Sequence, residues 1–117
     1  MKAGRALVTA GAALLIATAA VHSLGATMVS GWLEGERRTI LLLAWFILAV
    51  DWVIVALAWL YCAWRGGRRF APVVYLTAAI PAATALGLIY AVGPGFFGIW
   101  MLAGAVGLAV VGASRLP

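Results

Sequence analysis

The chain has 117 residues, 67% of them hydrophobic and 9% charged, and its mean hydropathy is +1.14. No water-soluble domain of this length can bury so much apolar surface, which excludes a soluble enzyme, a nucleic-acid-binding domain and a disordered regulator. A net charge of +5 with a pI near 10.4 then reads as membrane topology rather than affinity for nucleic acid, and the lone Cys62 permits no intramolecular disulfide.

The first apolar block runs from Ala6 to Met28. Lys2 and Arg5 before it, and Ala17-Thr18-Ala19 within it, also resemble a cleavable signal peptide. The apolar run continues past that point through His22 to Met28, which favours a retained span. Helical spacing puts His22 on one face with Gly11, Leu15, Thr18, Ala19, Gly25 and Ala26. A polar break, Ser30 to Arg38, leads to the second block, Thr39 to Trp64. There Asp51 shares a face with Ala44, Val55, Ala58 and Cys62, while Leu42, Phe46, Val53, Leu57 and Leu60 lie opposite. Small residues allow close helix approach and bulky aliphatics suit lipid, so the Asp51 face is expected to point into the bundle. Trp45, Trp52 and Trp59 form a heptad stripe beside it.

After a break at Arg65-Gly66-Gly67-Arg68-Arg69 comes the third block, Pro72 to Val92, with Thr77, Thr84 and Ala91 at heptad spacing. Gly93-Pro94-Gly95 is a tight turn into the last block, Gly95 to Ala113, where Ala105, Ala109 and Ala113 recur every four residues and favour tight packing within the bundle over contact with another copy. Each block is close to the ~20 residues a helix needs to cross ~30 Å of hydrocarbon. The blocks are apolar all round, whereas membrane strands alternate, so the expected fold is all-α: an antiparallel up-down-up-down four-helix membrane bundle with no length left for a second domain. With the N-terminus in the cytoplasm, Lys2, Arg5, Arg65, Arg68, Arg69 and Arg115 lie inside and only Arg37 and Arg38 outside, so both termini are expected on the cytoplasmic side.

Folding the spans back on one another places Asp51 level with Thr18 and Thr84 near the bilayer centre, and His22 level with Trp45 and Tyr90 nearer the outer surface. An aspartate at the bilayer centre costs roughly 2.5–3.5 kcal/mol and usually faces protein or water. Asp51, His22, Thr84, Thr18 and Tyr90 therefore form a candidate buried polar centre. Its plainest role is a hydrogen-bonded strut, with Asp51 reaching a threonine hydroxyl or the Thr77 carbonyl that Pro81 deprives of a donor. A proton relay and a ligand contact are the alternatives. His22 could serve as an axial haem ligand. One histidine and one distant cysteine make no metal-ligand cluster, and the expectation is no cofactor. Trp45, Trp52 and Trp59 could line a groove for a lipophilic molecule, although packing against another helix or subunit explains them as well. Glu34 and Glu36 beside Arg37 and Arg38 read as a solvated cluster that caps the second helix, and the inner arginines as contacts for anionic lipid headgroups.

In size and topology the chain resembles the small multidrug transporters, but that family carries an essential acid in its first helix and none stands there here. It more closely resembles short four-span bacterial membrane proteins of no assigned activity. The shared features are His22-Ser23, Gly35-Glu36-Arg37-Arg38, Ala44-Trp45 and Gly112-Ala113-Ser114-Arg115. The resemblance implies a multi-pass protein of the bacterial inner membrane and assigns no catalytic residue. The expected role is a non-enzymatic component that self-associates or joins a larger membrane complex and binds a lipophilic molecule. An isomerase-like membrane enzyme using Asp51 and His22, and a proton-coupled transporter cycling Asp51, are the rivals.

Overall fold

A computed structural model describes residues 2–117, and all regular structure among them is helical. Helix α1 (Lys2–Leu24) breaks at Gly25 and resumes as the single turn α2 (Ala26–Val29). Helix α3 (Gly35–Tyr61) continues into a π turn at Cys62–Gly66 and a 3-10 turn at Gly67–Phe70. Helices α4 (Ala71–Val92) and α5 (Phe97–Ser114) complete the chain. Three helical runs are long and apolar enough to cross a membrane: Lys2–Val29, Gly35–Val92 and Phe97–Ser114.

Helix α3 starts at Gly35, four residues before the apolar block at Thr39. Hydropathy marks the edge of the hydrocarbon, whereas helix ends are set by local backbone chemistry. Glu34 is extended, and Gly35 takes φ 59, a left-handed conformation that side chains disfavour. Glu36 then sits in the first turn, where its charge complements the helix dipole. The 58-residue middle run would extend about 87 Å if straight. The molecule measures only 51 × 26 × 19 Å, because the chain doubles back at Gly67 (φ 63). Backbone closure there is reinforced by the C-terminal residue: Arg68 N–H donates to the Pro117 carbonyl at 2.7 Å.

Helix α1 is the hub. It packs along α5 and α3, α4 packs along α5, and α3 touches α4 far less. The α1–α5 seam is close enough that glycine is required. A Cβ on Gly11 would lie 2.8 Å from the Ala105 carbonyl, and one on Gly112 would lie 2.7 Å from the Val8 nitrogen. Ala105, Ala109 and Ala113 are fully buried in this seam with Val8, Ala12 and Leu15, which is the tight packing their spacing predicts.

Helix α3 is rotated from the expected register. Its buried face is Ala49, Trp52, Val55, Ala56, Trp59, Cys62 and Ala63, and Asp51 is exposed. Two small-residue stripes compete on this helix at the same heptad spacing. Ala49/Ala56/Ala63, rather than Ala44/Asp51/Ala58, faces the bundle, because that choice also buries the indoles of Trp52 and Trp59. Burying two large rings outweighs sheltering small side chains. On the face expected to meet lipid, Phe46 and Leu57 are exposed, while Val53 and Leu60 pack against the core.

Candidate functional site

The most developed polar arrangement joins the end of α1 to α3. The His22 and Trp45 rings stack with centroids 4.2 Å apart and planes 7° from parallel. His22 Nε2 lies 3.0 Å from the Trp45 carbonyl oxygen, so that nitrogen carries the hydrogen and donates. In return the Trp45 indole N–H donates to the His22 carbonyl. That carbonyl also accepts from the Gly25 N–H at 3.0 Å, a bond that tightens the chain where α1 ends. Residue 25 is closely enclosed, since a Cβ there would stand 3.1 Å from the Trp45 ring and from the His22 carbonyl oxygen. Trp52 closes the arrangement edge-on to His22 at 5.1 Å. The result is a reciprocal two-bond lock between helices.

Deeper in the interior, Trp59 is fully buried and its indole N–H donates to the Thr77 hydroxyl at 2.8 Å, tying α3 to α4. The Thr77 hydroxyl in turn donates to the Val73 carbonyl at 2.7 Å. Trp52, only 2% exposed, has a covered indole nitrogen with no acceptor among the described residues. Trp52 and Trp59 therefore fill the interior and half-buried Trp45 locks α1 to α3, and none of the three lines the α1–α3 groove. An apolar groove of about 340 Å³ does run between α1 and α3, but its walls are residues such as Ile16, Ala19, Phe46, Ala49 and Val53.

The expected polar centre does not assemble. Thr18 is buried and donates to the Leu14 carbonyl of its own helix at 2.7 Å. Thr84 is half-buried and donates to Ile80 of its own helix at 3.1 Å. Tyr90 is 95% exposed. Asp51 lies on the outer surface of α3, and its carboxyl makes no hydrogen bond among the described residues. The reason is rotational: at 100° per residue, Asp51 stands a full 100° from Trp52, which faces His22. Of the candidate residues, the structure brings together His22, Trp45 and Trp52, and leaves the rest apart.

At the end bearing both termini, Trp64 donates to the Thr9 hydroxyl at 3.0 Å, and the Arg5 guanidinium lies over the Trp64 ring at 5.8 Å. Lys2, Arg5, Ala6, Thr9 and Trp64 line an open groove of about 520 Å³. Thr9 and Trp64 are 55 positions apart, so no local pattern could have paired them. Gly4 could have been found, because it lies two helical turns before Gly11 on the same face of α1. Among the described residues, no three His, Cys, Asp or Glu side chains come together to hold a metal. The chain matches no known family model, no characterised protein and no solved structure.

Proposed function

We propose that this chain is a four-span, non-enzymatic membrane component that works through lateral association with other membrane-embedded protein. In this reading the chain is an up-down-up-down bundle in a bacterial inner membrane, with α3 and α4 crossing separately on either side of Gly67. Both termini face the cytoplasm, where the Lys2/Arg5/Trp64 groove and the arginines of the second turn meet anionic headgroups. The α1–α3 groove takes an acyl chain or another lipophilic molecule.

The observation that carries the proposal is Asp51, an ionisable side chain projecting outward from the middle of an apolar helix. Facing acyl chains it costs roughly 2.5–3.5 kcal/mol, a penalty relieved when a neighbouring helix offers hydrogen bonds. The enzyme reading required Asp51 and His22 to act on one substrate. His22 is instead bonded and stacked to Trp45, and Asp51 is exposed about 100° round α3 from the Trp52 that faces His22. A proton-coupled transporter cycling Asp51 would need that carboxyl enclosed, which the single chain, with Asp51 exposed, does not do by itself.

Native mass spectrometry after gentle extraction in lipid tests this reading. It should report assemblies containing more than one polypeptide, and Asp51→Leu should shift them towards the single chain. A single chain in every extraction, unaffected by Asp51→Leu, would overturn it.

A further inference from the structure

We propose that α3 is the contact helix of a parallel two-fold homodimer in which the Asp51 side chains of two copies meet at mid-membrane. This rests on the reading above, that the chain acts by lateral association, and adds the partner and the surface.

The outer face of α3 carries an uninterrupted heptad. Ile40, Ile47, Ile54 and Tyr61 recur every seven residues and are each 51–59% exposed. Ala44, Asp51 and Ala58 form the companion positions, exposed at the first two and half-buried at the third. The spacing between the two series alternates three and four, the pattern of a seam between two helices that cross at a shallow left-handed angle. Ile40 to Tyr61 spans about 32 Å at 1.5 Å per residue, which matches the hydrocarbon thickness. Asp51 sits at the centre of that length, with a small alanine one heptad on either side to let backbones approach.

Chemical complementarity selects a second copy as the occupant. Every Lys and Arg of the chain lies near a helix end or in a connection, with none between Arg38 and Arg65. A second copy therefore brings no cation to the depth of Asp51. In parallel orientation it brings the same carboxyl group to the same depth. Two carboxyl groups that keep one proton or two between them can donate and accept across a two-fold axis, whereas two ionised ones would repel. One carboxyl at the centre of a seam whose only other polar group is the Tyr61 hydroxyl at its end also fixes register, because any slip leaves both carboxyls unpaired in hydrocarbon.

The test uses the full chain in native membranes and in lipid nanodiscs, with Cys62→Ala as background. Ala44→Cys and Ala58→Cys should each form a symmetric disulfide dimer on mild oxidation, whereas Leu86→Cys on the exposed face of α4 should not. Asp51→Asn, whose amide also donates and accepts, should keep the dimer, and Asp51→Leu should weaken it about tenfold. Cross-linking through Leu86→Cys in place of the α3 positions would overturn the proposed surface. Cross-linking of α3 to a different polypeptide would overturn the second copy while leaving lateral association standing. A single uncross-linked chain in nanodiscs and in native mass spectrometry would overturn both.

Discussion

His22 and Trp45 exchange two hydrogen bonds and a ring stack, so their contribution is concentrated in few atoms. His22→Ala removes the donor to the Trp45 carbonyl and one stacking partner, and should destabilise the fold by about 1–3 kcal/mol. Thermal unfolding in micelles, followed by tryptophan fluorescence, measures this. The two interior indoles make a sharper comparison. Trp59→Phe loses a bond to Thr77 and should cost about 1 kcal/mol beyond the lost ring volume. Trp52→Phe discards an N–H that has no acceptor, so its polar contribution should be neutral or favourable. Equal losses in the two variants would show that the Trp59–Thr77 bond contributes nothing net.

At the level of elements, the α1–α5 seam is where side-chain size matters most. Gly11→Val and Gly112→Val each push new atoms into backbone rather than into a movable side chain, and each should cost about 1–3 kcal/mol or more. Gly107→Val is the internal control, since nothing lies within 4 Å of its Cβ position and α5 is otherwise unchanged. Chemical denaturation of the three variants in one detergent should separate the two seam glycines from the control. The π turn at Cys62–Gly66 and the 3-10 turn after it show a related economy: the reversal between α3 and α4 is made almost without leaving helical backbone, by one left-handed glycine at position 67.

For the molecule as a whole, the distribution of charge sets the expected topology. Lys2, Arg5, Arg65, Arg68, Arg69 and Arg115 belong to the connections and termini at one end, and Glu34, Glu36, Arg37 and Arg38 to the other. Reporter fusions at the two termini should both report the cytoplasmic side, and a fusion in the 30–34 segment the opposite side. Opposite results for the two termini would rule out an even number of crossings.

Much of this molecule was legible before any coordinates. The ends of α4 and α5 fall within two residues of the apolar blocks, because Gly67, Pro72 and the Gly93-Pro94-Gly95 turn punctuate the chain with backbone chemistry that acts locally. The inward face of α1 was readable from its small residues at helical spacing, and the spacing of Ala105, Ala109 and Ala113 allowed contact within the bundle or with another copy, of which the structure shows the first. The register of α3 was not. In a water-soluble helix the polar side declares itself, but α3 is apolar all round, so no gradient of hydropathy selects its inner face. That selection was made by the fit of Trp52 and Trp59 against their neighbours and by the lock between Trp45 and His22, contacts between residues far apart in the chain. It turned Asp51 from an expected internal strut into an exposed carboxyl on the outer face of α3.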